Sequence, residues 1–561
     1  MENTPPFKRL WNLIVLDRSD IIAIYFYAIL TGLVNLSLPL GIQAIIGFVL
    51  GGSMVTSIYV LISLVVAGTV VVGLMQINQM KIVEKIKQKI FVRYAFDFAD
   101  KIPRFDLFKT DNFYLPEKVN RFFDVLNVQK GLSKLLLDVP AASIQIIFGL
   151  ILLALYHPFF IVFGLTLVVI LTLIFRLTGT SGLQTSMEES GHKYKTVAWL
   201  QEMARVINPF KLSYDTNFNL ARTDVHVNKY LNSRTEHFSV LLFQYKTLVM
   251  TKVAITTAML GGGAFLLLRQ QLNIGEFIAA EIVVLAVINA VEKLIVNLDS
   301  VYDVVTGLEK LASVTENLSE NEGKLSIDPA GKGVAIELQN FGFSFRDDRA
   351  LFRDVDLQIP AGSLVGISSM GQSGKSTFLK ILAGHYQHFS GSLLFNKVPL
   401  SNYRLATLRM KMGLYLNQRE VFIGTVWDNI IDGRSQITSE EIIDLAEQCG
   451  LSGFLDQLPE GFQTQVAPNG KNLPGHYIKR ISLLRALLNK PSLLLLEDPF
   501  DGLAGHERQK LMQYLTSKPH RATIIVATGD AAFLQACDYQ ILLSNGTATL
   551  TENFDNGSGE L

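Results

Sequence analysis

Cysteine is almost absent. The 561 residues contain two, Cys449 and Cys537, both in the C-terminal half. That count excludes a disulfide framework and leaves no cluster with metal-ligand spacing for a zinc site. Net charge is also absent, because 50 Lys and Arg balance 50 Asp and Glu. A chain without basic excess points away from a nucleic-acid partner. Charge of either sign is scarce: 18% of residues are charged and 49% are hydrophobic, with a mean hydropathy of +0.30. Few soluble chains of this length are so apolar, so membrane spans are expected. A cleavable signal peptide is not expected at the start. Residues 1–20 mix charge with apolar side chains, and no small-residue cleavage site follows a short apolar core.

What the chain has instead is long apolar runs. Six stand out before residue 300, at roughly 20–45, 54–78, 135–156, 158–178, 238–268 and 274–297. Most reach the ~20 residues that cross a hydrocarbon core of ~30 Å. Before the first, Phe7, Leu10, Trp11, Ile14 and Val15 recur at helical spacing, which predicts an amphipathic elbow helix over 1–18 lying on the membrane surface. The connections alternate in length. Gly51-Gly52-Ser53, Tyr156-His157-Pro158 and Arg269–Asn273 are short, whereas 79–134 and 179–237 are long and rich in Lys and Arg. Basic residues near the span ends place the long segments, the N-terminus and the C-terminal half on the cytosolic side. The long segments keep apolar residues at helical spacing (Ile90, Phe91, Tyr94, Phe98). They are read as helices extending from the spans, with far tips near 110–120 and 206–214 and a turn at Asn208-Pro209-Phe210. The alternative is amphipathic helices on the membrane surface.

Residues 316–334 are polar, with Gly and Pro, and read as a linker between a transmembrane domain (19–315) and a second domain (335–551); 552–561 read as a polar tail. Within the second domain, short apolar strands (335–345, 364–368, 411–416, 492–497, 522–527, 540–543) alternate with helical segments (375–384, 437–448, 479–489, 505–517). This order predicts an α/β domain with a mainly parallel sheet.

One strand of that domain, Leu364 to Ile367, runs through Ser368-Ser369-Met370-Gly371-Gln372-Ser373 into Gly374-Lys375-Ser376-Thr377 and a helix. The pattern G-x-x-x-x-G-K-[ST] is a P-loop. Loop amides and a helix N-terminus cradle phosphate, the lysine places a cation beside the β- and γ-phosphates, and the hydroxyl ligates Mg²⁺. Gly374, Lys375 and Ser376 fit, but Ser369 holds the first glycine position.

From these motifs, in their order and spacing, the chain resembles the ATP-binding cassette (ABC) transporter family, specifically an exporter half-transporter of six spans fused to one cassette. The resemblance covers nearly the whole chain. It implies a multi-domain membrane protein: an all-α, six-helix transmembrane domain like that of type I ABC exporters, plus an α/β P-loop NTPase domain. It implies ATP and Mg²⁺ as cofactors and a second half-transporter, in a homodimer or heterodimer, as partner. A weaker likeness to peptide- and protein-secretion exporters implies a periplasmic adaptor. The resemblance places the spans in the plasma (inner) membrane and the cassette in the cytoplasm.

Carried over position by position, Phe345 stands where an aromatic stacks on adenine. Gly371, Gln372, Ser373, Gly374, Lys375, Ser376 and Thr377 form the phosphate loop, with Ser369 and Gln372 replacing two of the family's glycines. Counting back from Gly424-Thr425 puts Asn417 at the family's glutamine, and a one-residue slip would put Gln418 there. In Leu493–Pro499 the two acids are exchanged. Glu497 stands where an Asp supports Mg²⁺, with Ser376 as the other metal-side residue. Asp498 stands where a Glu polarises the attacking water, one methylene short of its usual reach. Leu473-Pro474-Gly475-His476-Tyr477 occupies the signature position with only Leu473 and Gly475 matching, Ala504 replaces an Asp, and Gly529 replaces the family's histidine. Both the Walker face and the signature face are therefore altered. The expectation is nucleotide binding with slow or absent hydrolysis. Two functions stay open: an exporter subunit, or a non-hydrolysing membrane subunit that supports another transport or secretion component.

Overall fold

The computed structural model describes residues 5–50, 56–110, 114–316, 318–327, 333–345, 350–369, 371, 374–488 and 490–553. The chain divides into two compact units: Met1–Arg104 with Asn112–Ser319, and Phe105–Asp111 with Glu320–Leu561.

The first unit is all helix: α1 (Pro6–Leu16), α2 (Arg18–Asn35), α3 (Ser37–Leu50), α4 (Thr56–Lys101), then, after a short α5 (Leu107–Thr110) that falls in the second unit, α6 (Leu115–Val119), α7 (Asp124–Tyr156), α8 (Phe159–Arg205), α9 (Ile207–Lys211), α10 (Phe218–Leu268), α11 (Ile274–Val296) and α12 (Leu298–Thr315). Six stretches among the described residues are long and apolar enough to cross a membrane: Arg18–Leu50, Thr56–Arg104, Leu115–Tyr156, Phe159–Arg205, Phe218–Leu268 and Ile274–Thr315. The first is interrupted at Leu36, where Pro39 cannot donate the N–H that a continuous helix needs. The helices of 46, 47 and 51 residues run far past the apolar stretches, so the long basic segments continue the spans.

Local chemistry sets the turns. Gln270 takes a left-handed φ of 58°. Asn273 then caps α11 through a reciprocal capping box, its Oδ1 accepting from Glu276 N (2.8 Å) while Glu276 accepts from Asn273 N (2.9 Å). Asn208-Pro209-Phe210, expected as a turn, lies instead within the short helix α9; the chain bends just before it, at Val206. On α1, Phe7, Trp11 and Val15 are exposed while Leu13 is buried, and Arg9 is joined to Glu309 and Glu316 at the end of α12. The helices approach closely at small residues. An added Cβ on Gly149 would lie 2.5 Å from Val287, and one on Gly131 2.4 Å from Val304.

The second unit is α/β. Its elements are β1 (Ile336–Ser344), β2 (Ala350–Ile359), β3 (Leu364–Ser369), α13 (Lys375–Leu382), β4 (Ser390–Phe395), β5 (Val398–Pro399), α14 (Leu405–Arg409), β6 (Met412–Tyr415), β7 (Gly424–Thr425), α15 (Val426–Ile431), α16 (Ser439–Gln448), β8 (Gln465–Val466), α17 (Gly475–Leu487), β9 (Leu493–Glu497), α18 (Gly505–Thr516), β10 (Thr523–Ala527), α19 (Ala531–Gln535), β11 (Tyr539–Ser544) and β12 (Thr547–Glu552). The main sheet has the order β12-β11-β3-β10-β9-β6, parallel except for β12 at one edge. Its central strands are buried on both faces, hence their unbroken apolar runs.

A separate antiparallel sheet, β2-β1-β4-β5, corrects the sequence reading in two respects. The strand expected at 335–345 belongs to this sheet and not to the parallel one, and β2 and β4 were not expected at all. Asn340 and Asp354 take left-handed φ of 44° and 48° and mark irregular register. Such breaks interrupt the period-2 alternation by which an antiparallel strand is recognised.

Residues of the stretches read as linker and tail make specific contacts within the second unit. Arg409 holds Glu320 through two bonds of 2.7 and 2.8 Å, and Leu325 pairs with Tyr403. β12 runs to Glu552, and the Asn553 amide donates to the carbonyls of Leu534 and Cys537, so the polar tail begins later than 552; residues 554–561 lie outside the described set. The segment that joins the cassette unit is 105–111, earlier than the 110–120 tip. Within that unit Asp106, 1% exposed, lies 3.0 Å from His388 Nε2, and the Phe108 ring lies 4.9 Å from the His388 ring.

Burial in this unit gives a pH-dependent term. His385 Nδ1 is sealed from solvent without a partner among the described residues, and burial pulls the imidazole from 6.5 down to about 4. The fold therefore holds the neutral ring, and its contribution is complete above about pH 6.5. As pH falls from there toward 4, the unfolded chain takes up the proton first and stability is lost, on the order of 2–3 kcal/mol. The thermal midpoint of the full-length protein should fall over this window, and less steeply in His385→Leu.

Candidate functional site

The C-terminal ends of β3 and β9 form the site, where a parallel sheet of this kind places its ligands. β3 ends at Ser369, and the chain turns back through two glycines with left-handed φ, Gly371 at 72° and Gly374 at 84°. Only Gly takes these angles at little cost. At Gly374 a Cβ would also press on Leu351 at 3.1 Å. Gly374 is the N-cap of α13, so Lys375, Ser376 and Thr377 are the first residues of an eight-residue helix whose free N–H groups and dipole favour an anion. Gln372 and Ser373, expected in this loop, lie outside the described residues.

β9 brings up the acids. Ser376 Oγ donates to Glu497 Oε1, and Lys375 Nζ lies 4.0 Å from Asp498 Oδ2. Asp498 has a left-handed φ of 42° and its N–H donates to Ala527 O, which ties it to β10. Burial raises the Asp498 carboxyl above the usual carboxylate range, and Lys375 opposes that rise. The Ser376 hydroxyl and the Glu497 carboxylate together are a pair of hard oxygen donors, which is the ligand chemistry Mg²⁺ requires.

The geometry separates Asn417 from Gln418. Asn417 turns to the site, its N–H 3.4 Å from Glu497 Oε2 and its Nδ2 3.4 Å from Asp501 Oδ2. The Gln418 side chain is exposed and bonds to none of the described residues. Phe345 is 38% exposed and packs edge-on against Phe343 (5.0 Å) and Tyr386 (5.6 Å), which leaves ring surface open.

Spacing alone did not reveal the links between motifs. Lys479 on α17 bonds Asp501 at 2.6 Å and holds its carboxyl below the usual range. Arg480 grips Glu507 through bonds of 2.9 and 2.8 Å, and Glu507 also accepts from Ala504 N at the start of α18. Both side chains are about nine-tenths buried. Glu507→Ala would leave a buried guanidinium unpaired and should destabilise the cassette by about 3–5 kcal/mol, read as a lowered unfolding midpoint. Pro474 caps α17 with no N–H, and no side-chain bond is made at that cap. Gly529 has no side chain to offer; beside it, Asp530 caps α19 and pairs with Arg508 at 2.6 Å.

These features define an α/β P-loop nucleotide-binding domain following a body of six membrane-spanning helices. Residues 352–501 match the family model described as ABC transporter. This segment is a domain of the ABC transporter family. It is 30% identical over 266 residues to a probable ABC transporter ATP-binding/permease protein of Haemophilus influenzae (45% of this chain, 48% of that protein). It is 32% identical over 216 residues to the putative multidrug export ATP-binding/permease protein YgaD of Bacillus subtilis (38% and 37%), and 32% identical over 213 residues to ABC transporter B family member 21 of Arabidopsis thaliana (37% and 16%). The chain spans less than half the length of these relatives. Its fold is that of a bacterial Atm1-family ABC exporter solved with ATP bound (TM-score 0.84, 16% identity, 96% of this chain and 95% of that one).

Proposed function

We propose that this chain is one half of an ABC exporter, an integral membrane subunit whose cytoplasmic cassette binds ATP with Mg²⁺ and whose hydrolysis is slow. The observation that carries the reading is the placement of Lys375 and Ser376 at the start of α13, facing Asp498 and Glu497. Lys375 and the free amides of α13 hold the phosphates, and the Phe345 ring stacks on the base. Ser376 and Glu497 would hold Mg²⁺, which when bound neutralises charge on the β- and γ-phosphates. Asp498 sits where a carboxylate accepts a proton from the attacking water, but its side chain is one methylene short. A displacement of about 1 Å at a reacting centre costs roughly 100-fold in rate.

Support for export comes from the fold and from the Bacillus relative, which is named for putative multidrug export. The plasma (inner) membrane suits a subunit with this arrangement, and the partner is a second half-transporter, the same or different. A periplasmic adaptor is a further candidate. A second reading, a non-hydrolysing subunit, is favoured by Pro474 and Gly529, which remove a donor from the signature position and a side chain from the histidine position. Steady-state turnover of the full chain in nanodiscs separates these readings from an ordinary transport ATPase. Turnover well below about 1 s⁻¹ is expected, and turnover within the ordinary enzyme range would refute slow hydrolysis.

A further inference from the structure

The first unit holds a cavity of about 270 Å³ between α2, α3, α7 and α11. Small-molecule sites span roughly 300–1,000 Å³, so an occupant here is small. Asn35, Gln145, Ile282 and Val287 line it, and each lies at least roughly 12 Å from either end of its apolar run, at about 1.5 Å per residue. The cavity therefore sits at mid-depth in the spans. Two close helix approaches frame it. An added Cβ on Gly32 would lie 2.4 Å from Ile144, which marks the contact of α2 with α7, and Gly149 marks that of α7 with α11.

Among the described residues, Asn35 and Gln145 are the two polar side chains of the lining; the others are apolar, glycine or proline, and none carries a charge. Neither carboxamide bonds to any described residue. The main chain adds an acceptor. Pro39 has no N–H, so the Asn35 carbonyl loses the donor that a continuous helix supplies four residues on. In hydrocarbon, unmatched amide groups are costly, and irregular backbone at this depth is tolerated where it lines a cavity. A ligand here gains by supplying hydrogen bonds. It gains nothing from charge, because no counter-charge lines the cavity and an unpaired ion at this depth is costly.

We propose that Asn35 and Gln145 mark a binding site for a small, uncharged, largely apolar solute that carries an amide or hydroxyl group. This names a class of exported solute and rests on the export reading. A side-chain carboxamide pairs with such a group as donor and acceptor at once. Leu36, Phe148 and Val283 enclose the apolar remainder. Charged solutes of the same length are disfavoured by the same walls.

The test is fluorine NMR on the full-length protein in nanodiscs, with a trifluoromethyl label on Leu38→Cys in the cavity wall. Cys449 and Cys537 are buried and stay unlabelled. The probe is octanamide, titrated without nucleotide. A saturable shift is expected, with half-saturation raised at least about 10-fold in Asn35→Leu and in Gln145→Leu on the labelled background. Octanoate, octylammonium and nonane, matched in length, should bind at least about 10-fold more weakly. Ala286→Phe fills the cavity and should abolish the shift, which separates binding from partition into lipid. Gln145→Leu decides the matter if Asn35→Leu, beside the helix interruption, fails to fold. No saturable shift, a shift unchanged in the leucine variants, or nonane binding as tightly as octanamide would overturn the proposal. Nucleotide affinity of the same sample is read separately. ATP binding without octanamide binding sinks the solute site alone; octanamide binding without ATP binding sinks the export reading and leaves the site without that role.

Discussion

Lys375→Ala should lower ATP–Mg²⁺ affinity by about 10- to 100-fold, which corresponds to losing a charge-assisted contact worth about 1.5–3 kcal/mol. The lysine is the cation at the start of α13, and Asp498 lies 4.0 Å away, the nearest acid among the described residues. Removing it leaves the α13 amides as the main phosphate donors and removes the largest influence opposing the raised Asp498 carboxyl. The Asp498 carboxyl then shifts further upward, which disfavours its ionised form. Nucleotide titration of the variant in nanodiscs, with the unfolding midpoint as a control for folding, reads the effect. An unchanged affinity would place the nucleotide elsewhere.

Exchanging the acids back should have the opposite sign on rate. Glu497→Asp with Asp498→Glu is expected to raise turnover by about 10- to 100-fold, because the longer carboxylate reaches the position from which water is polarised. Two features limit the gain. Asp498 has φ 42°, an angle at which Asp is better tolerated than Glu, so the replacement carries a conformational cost of about 1 kcal/mol. Pro474 and Gly529 also remain, so the variant should stay slower than an enzyme with complete motifs. If the double variant hydrolyses no faster than wild type, the exchange of acids is not what limits the rate. The signature face would then be the next to restore.

The two halves of the chain differed in how readable they were. Spans are written as runs of apolar residues, a signal that depends on composition and length alone, and all six emerged from it. The motif Gly374-Lys375-Ser376 was equally visible because it needs no long-range information. The antiparallel sheet was not: left-handed Asn340 and Asp354 break the alternation that would have marked its strands. The choice between Asn417 and Gln418 turned on a count from Gly424-Thr425, and the side-chain direction, toward Glu497 and Asp501 for Asn417 and toward solvent for Gln418, separates them. Pairs such as Arg480 with Glu507, 27 residues apart, and Lys479 with Asp501, 22 apart, carry no sequence signature, since only the packing of α17 against its neighbours brings them together.

Calorimetric titration of the intact protein in nanodiscs with ATP in the presence of Mg²⁺ tests the central claim most directly. The account predicts saturable binding that weakens when Lys375 is replaced. Heats indistinguishable from dilution at millimolar ATP, in protein that is folded by its unfolding transition, would contradict it.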